Sequence, residues 1–141
     1  MLAPKRIPHK KVYNRYGQKR RGMCSRGNQL TIGEFGLMAT STSWVTARQI
    51  EAARRVISRR TKGSKIIIRI FPSRPVTGKG LGAVMGSGVG NIDYFMFPVK
   101  PGRLIFEIRG ASREKVEEAF RIAGCKLPVS TKIVSKDDIL A

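Results

Sequence analysis

Apolar residues fall along the chain in short periodic runs, separated by glycines, prolines and basic residues. From Gln29 to Ala39, Leu30 and Ile32 are followed by Phe35 and Leu37 around Gly33 and Gly36, a pattern that predicts a strand with a glycine break or bulge. Thr46-Ala-Arg-Gln49 has the spacing of a capping box, with Thr46 as N-cap and Gln49 reaching back to its amide. Ile50, Ala53 and Ile57 then repeat at helical intervals, so a helix is predicted over about residues 47–60. Ile66, Ile68 and Ile70 alternate with Ile67, Arg69 and Phe71 until Pro72 ends the run, as in a β-strand. Two more strands are predicted over 92–97 and 103–108, and Pro98 to Gly102 between them reads as a turn, which makes the two an antiparallel hairpin. Ser112 is placed to cap a second helix over 113–123, with Val116, Ala119, Phe120 and Ala123 toward a core and Gly124 as a left-handed stop. A last strand covers about 130–134. The sum is an α+β domain, a mostly antiparallel sheet covered by two helices.

Length and composition place this pattern in one domain with extensions. A chain of 141 residues buries about two-thirds of the surface its unfolded form exposes, and 41% apolar residues is ordinary for a globular protein. The expected division is a basic N-terminal extension over 1–28, the α+β domain over 29–134 with a glycine-rich loop over 72–91, and a polar tail over 135–141. Charge changes the picture more. There are 28 Lys and Arg against 9 Asp and Glu, a formal charge of +19, and such an excess calls for a polyanionic partner. It is unevenly spread: residues 1–79 hold 19 basic residues against Glu34 and Glu51 alone, net +17, whereas 80–141 hold nine against seven, net +2. No run approaches the roughly 20 apolar residues that span a bilayer. The start, Met1-Leu2-Ala3-Pro4-Lys5-Arg6, lacks the apolar stretch of a secretory signal and is expected to be a mature start. Cys24 and Cys125, with His9 as the one histidine, are too few ligands for a zinc site and are expected to be free thiols.

Residues 1–33 contain no acid, and Lys5, Arg6, Lys10, Lys11, Arg15, Lys19, Arg20, Arg21 and Arg26 are interleaved with Tyr13 and Tyr16. Their few apolar residues have no period, so burial cannot offset about 1–2 kcal/mol of backbone entropy per residue. The segment is expected to order on RNA, cations on phosphates and rings available to stack. The alternative is a solubilising tail, against which the absence of acids argues. On the first predicted helix Arg48, Arg55 and Arg59 line one side, with Glu51 placed to pair with Arg55. Arg54 and Arg60 point less clearly, and Arg60 is counted with the ridge as an RNA-binding candidate. A merely solvated face is the competing reading, but five arginines with one acid exceed what solvation needs.

The span 72–91 has no regular period, and loops this long inside a compact domain carry function or are disordered. Its Gly86-Ser-Gly88-Val-Gly90 is not Gly-x-Gly-x-x-Gly, no Gly-Lys-Ser/Thr is present, and a strand rather than a helix follows. A mononucleotide site of those types is excluded, and close backbone approach to a partner is what the glycines offer. Catalytic groups are missing as well. His9 lies alone, no Ser or Cys has a His and acid partner, and Glu114, Glu117 and Glu118 share a helix surface without supporting groups. No enzyme, cofactor or metal is expected.

Several of these stretches together resemble one family. Met1-Leu-Ala-Pro-Lys-Arg6, Thr46-Ala-Arg-Gln-Ile-Glu-Ala-Ala-Arg-Arg55, Ile68-Arg-Ile-Phe-Pro72, Met85-Gly-Ser-Gly88 with Gly90, Val99-Lys-Pro-Gly-Arg103 and Lys126-Leu-Pro128 are similar, in order and spacing, to the large-subunit ribosomal protein L-sixteen family of bacteria, plastids and mitochondria. The resemblance runs from residue 1 to about 134. It implies a hammerhead-type α+β domain on large-subunit rRNA near the aminoacyl-tRNA site, among neighbouring ribosomal proteins, as a monomer that aids subunit assembly and tRNA seating. It implies a ribosomal location, in bacterial cytoplasm or the matrix of an organelle. Carried over, Lys5 to Arg26 would meet rRNA and tRNA, and Val84, Met85, Gly86, Gly88 and Gly90 would approach the peptidyl-transferase region. Val84 and Val89 stand where the family usually has Arg and Lys, so the loop is expected to keep its path with less electrostatic affinity.

Two rival classes share the charge. A membrane-surface protein needs a broad apolar helix face, and the first helix is too rich in arginine. A free-standing DNA- or RNA-binding regulator needs a compact recognition motif in place of a long basic arm. Neither a membrane nor DNA is therefore an expected partner, and rRNA and tRNA are the partners the resemblance implies.

Overall fold

The Thr46 capping box forms: Thr46 Oγ1 accepts from Gln49 N at 3.4 Å, and Gln49 Oε1 accepts from Thr46 N at 2.9 Å. The helix it opens, α1, is Ala47–Arg60. The computed structural model describes residues 2–7, 11–12, 22–86 and 88–136. In chain order its elements are β1 (Phe35–Ala39), β2 (Ser43–Thr46), α1, β3 (Lys65–Ile68), β4 (Arg74–Thr77), β5 (Ile92–Val99), β6 (Leu104–Arg109), α2 (Arg113–Gly124) and β7 (Thr131–Ser135). The strands form two antiparallel sheets, one ordered β3-β6-β1-β7 and the other β2-β5-β4. The α+β class is as the pattern predicts, with two sheets in place of one.

The core lies between the helices and the four-stranded sheet. Ile50, Ala53 and Ile57 of α1 and Val116, Phe120 and Ala123 of α2 pack against one another and on Leu37, Ile105, Phe106 and Ile108. Residues 104–108 of β6 are buried on both faces, because helices cover one side and the segment before β1 covers the other. Full burial of Phe106 or Phe120 contributes on the order of 2–3 kcal/mol.

Several expectations are corrected. The strands over 92–97 and 103–108 do not pair with each other. β5 lies between β2 and β4, and β6 between β1 and β3, so their connection crosses from one sheet to the other. That connection bonds elsewhere: Gly102 N donates to Ala39 O at 2.7 Å, and Cys24 N donates to Pro101 O at 2.8 Å. The strand expected from Gln29 begins only at Phe35, because Leu30 folds over Gly36 instead of extending the ladder. The irregularity in β1 falls between Leu37 and Met38, not at a glycine. β2 was not foreseen, and β4 shortens the irregular span to start at Gly78. The run expected to reach Phe71 is strand only to Ile68, with one more bond to β6 from Arg69 N to Ile105 O at 2.9 Å. Ser112 makes no side-chain cap bond, and Gly124 stays within α2, where a Cβ would meet Thr131 Oγ1 at 2.8 Å. Cys24 and Cys125 are free.

Candidate nucleic-acid interface

α1 turns Ile50, Ala53 and Ile57 inward, and the same periodicity turns its arginines outward. Arg48, Arg55, Arg59 and Arg60 are all exposed, but they differ in what holds them. Glu51 takes a two-pronged pair from Arg54, with Nε to Oε2 and Nη2 to Oε1 both at 2.8 Å, and a further bond from Arg55 Nε at 3.0 Å. These bonds, Arg54 first and Arg55 second, bring the Glu51 carboxyl from 4.5 down to about 2. Arg60 pairs across the helix interface with Glu118 of α2. Arg48 and Arg59 have no hydrogen-bond or ion-pair partner among the described residues, so their guanidinium groups are free to meet a phosphate.

The N-terminal segment touches the domain at two separate places. Leu2 packs against the core near the start of α1. Lys11 reaches the far loop, its Nζ donating to Val89 O at 2.7 Å. Lys5, Arg6 and Arg26 are exposed. Lys10, Arg15, Lys19, Arg20 and Arg21, with His9, Tyr13 and Tyr16, lie outside the described residues.

The glycine loop leaves β4 and returns to β5 through a narrow neck. Gly78 N donates to Asn91 O at 3.0 Å, and Gly90 passes so close that a Cβ there would stand 1.9 Å from Gly78 O. Beyond the neck Val84 and Met85 are 72% and 89% exposed, next to Gly86, with Gly88 on the returning limb. The loop's own cation, Lys79, turns inward, its Nζ 2.9 Å from Met85 Sδ and 3.5 Å from Val84 O. Lys79 and Lys11 thus bring positive charge to the backbone beside Val84 and Val89, the two positions whose side chains are neutral.

Two residues central to this arrangement were not singled out by sequence reasoning. Arg103 clamps the root of the N-terminal segment: Nη1 donates to Arg26 O at 2.7 Å, Nη2 to Arg69 O at 3.1 Å, and the guanidinium lies over the Phe97 ring. Glu107 is fully buried in β6, and its Oε2 accepts from Ile32 N at 3.1 Å and Gly33 N at 2.9 Å. Arg69 Nη1 stands 3.2 Å from Glu107 Oε1, an ion pair by distance that lacks hydrogen-bond alignment, and it also bonds Thr31 Oγ1. Gly33 is required there, because a Cβ would fall 2.7 Å from Glu107 Cβ. The one available signal was a lone acid inside an otherwise apolar strand.

Among the described residues no group of three or more His, Cys, Asp or Glu side chains is placed to hold a metal ion, and no helix is long and apolar enough to cross a membrane. Unpaired arginines on a helix, a basic segment held to the same domain and a loop fed with lysines define a basic α+β protein with exposed cations on several elements. Residues 4–134 match the family model described as Ribosomal protein L16p/L10e, and the chain belongs to that family. It is similar to the large ribosomal subunit protein uL16 of Lachnospira eligens, 46% identical with 99% of this chain and 94% of that one covered. The uL16 of Alkalilimnicola ehrlichii is 49% identical over 96% of this chain and 98% of its own. The uL16c of Phaeodactylum tricornutum is 48% identical over 99% of both. As a member of this family the chain is a structural, non-enzymatic component of the ribosome.

Proposed function

We propose that the chain binds large-subunit rRNA through its N-terminal segment, residues 1–28, and the free arginines of α1, and that it contacts tRNA near the aminoacyl site, supporting subunit assembly and tRNA seating. The observation that carries this is the concentration of charge before residue 80 together with Arg48, exposed and unpaired beside the docked Leu2, and Arg59, exposed and unpaired at the far end of α1. Arg55 and Arg60 join by exchanging their carboxylate partners for phosphate. The loop of Val84 to Gly90 approaches the peptidyl-transferase region through shape and its exposed apolar side chains, with charge supplied at its base by Lys11 and Lys79. The relatives' names, all large-subunit proteins, support the large-subunit part of this reading.

Binding to large-subunit rRNA as a function of salt tests the reading. Replacing Arg48, Arg55 and Arg59 with Ala together should leave the fold intact, lower affinity, and reduce the salt slope by about one ion per lost phosphate contact. Unchanged affinity and slope would show that the ridge is only solvated. A chain that never co-sediments with large subunits would sink the proposal.

A further inference from the structure

We infer that a cavity between the N-terminal segment, the start of α1 and β5 holds one unpaired nucleotide of an RNA strand, with a base that carries an exocyclic amino group. The inference rests on the RNA-binding reading above and adds a base-reading site to it. The cavity measures about 510 Å³, within the roughly 300–1,000 Å³ of clefts that take small ligands. Its origin is topological. β2 stops at Thr46, opposite Met96, where the chain turns into α1, while Asp93 to Phe95 lie beyond that last pair on β5. Leu2 and Ala3 supply the remaining wall.

Arg48 and Asp93 both line this cavity and both are exposed, yet they do not bond each other. Neither has a hydrogen-bond or ion-pair partner among the described residues. Opposite charges held apart in one cavity select a ligand that presents an anion to one and a donor to the other. Inorganic phosphate answers Arg48 and is repelled by Asp93, and a metal cation answers Asp93 and is repelled by Arg48. A nucleotide answers both: its phosphodiester suits the guanidinium, and the amino group of cytosine, adenine or guanine donates to the carboxylate. Tyr94, 37% exposed, adds an aromatic side chain to the lining, and Leu2 and Phe95 provide apolar walls. The helix end adds little, because the capping box already engages the Thr46 and Gln49 amides. The site is made by side chains. A strand rather than a free nucleotide is the occupant because exposed Lys5 and Arg6 come just after Ala3, beyond Pro4, and exposed Arg55 and Arg59 continue from Arg48 along α1, so cations lie on the chain to either side of the cavity lining.

Cytosine and uracil differ at one edge by an amino group against a carbonyl, so a pair of single-stranded hexanucleotides, UUUCUU and UUUUUU, isolates the Asp93 contact. Anisotropy titration of the full-length chain should show UUUCUU bound at least about fivefold more tightly, with amide shifts centred on Arg48, Asp93 and Tyr94. Asp93→Asn should abolish the preference, since an amide side chain pairs with either base, while binding of large-subunit rRNA continues. Equal affinity for the two strands in the wild-type chain overturns the inference without any variant, and so do amide shifts that avoid the cavity. A preference seen for CMP over UMP but not between the hexanucleotides overturns the strand. Wild-type chain that binds rRNA with a steep salt slope but shows no base preference refutes the cavity alone. Wild-type chain that fails to bind rRNA refutes the reading beneath it.

Discussion

Glu107 holds the root of the N-terminal segment against the central sheet, and removing it should unfasten that root at a large cost in stability. The carboxylate is fully buried, takes two backbone amides on Oε2 and faces the Arg69 guanidinium with Oε1. Glu107→Ala leaves the Gly33 amide buried without an acceptor, leaves Arg69 without its counter-charge, and opens a void beside Gly33. Breaking a buried pair by deleting one partner costs about 3–5 kcal/mol, a large share of the roughly 5–15 kcal/mol that holds a domain together. For a chain of 141 residues that corresponds to a fall in Tm of about 10–20 °C. Glu107→Gln keeps the shape and one acceptor oxygen, but its NH2 group must face either Arg69 or the two amides, so about 1–3 kcal/mol is expected. Combining it with Arg69→Met removes the stranded charge and should recover part of the loss, a coupling of about 0.5–3 kcal/mol. Urea denaturation at neutral pH reads these costs as a shifted midpoint with an unchanged slope. Hydrogen exchange reads them locally, as lost protection at Ile32 and Gly33. An alanine variant less than about 1 kcal/mol weaker than wild type, or one whose Ile32 and Gly33 amides stay protected, would refute the assignment.

Two further outcomes are expected. The Glu51 carboxyl, held at about 2 against an ordinary 4.5, has a folded value below its unfolded one. Its ion pairs therefore contribute fully above pH 4.5 and are lost as pH falls toward 2; an NMR titration of that carboxyl with a midpoint near 4.5 would show that Arg54 and Arg55 do not hold it. Gly90→Ala must push the loop neck open, because its Cβ would lie 1.9 Å from Gly78 O. A loss of about 1–3 kcal/mol with faster exchange at the Gly78 amide is expected, and a variant with unchanged stability and exchange would rule out the close approach.

What could be read in the sequence was what depends on near neighbours. The capping box and the spacing of Ile50, Ala53 and Ile57 are interactions within one or two turns, and α1 ends at Arg60, where expected. Strand partnership is not local. Adjacency and a Pro-Gly turn pointed to a hairpin, but β5 pairs with β4, its neighbour across the glycine loop, and with the more distant β2, while β6 pairs with β1 and β3. β2 has only four residues and merges with the helix cap, leaving no period to detect. The candidate interface shows the same division. The exposed faces of Arg48 and Arg59 followed from helical spacing. The pairing of Arg60 with Glu118, the reach of Lys11 to Val89 and the amides held by Glu107 join residues 58, 78 and 74–75 positions apart. Such contacts exist only once the sheets have formed.

The acids of α2 also shape how the chain meets its partner. Glu117 pairs with Arg113 and Glu118 with Arg60, and residues 80–141 carry only +2 in total, so the charge that a distant polyanion senses comes almost wholly from the first 79 residues. Exposed arginines gathered on one helix, Arg48, Arg55 and Arg59 of α1, draw that helix toward a polyanion before any contact is made. Encounter with RNA should therefore be fast and already oriented at low ionic strength. As salt rises and the field contracts to about 10 Å, association should slow and lose that orientation, while the dissociation rate should respond mainly to the contacts themselves.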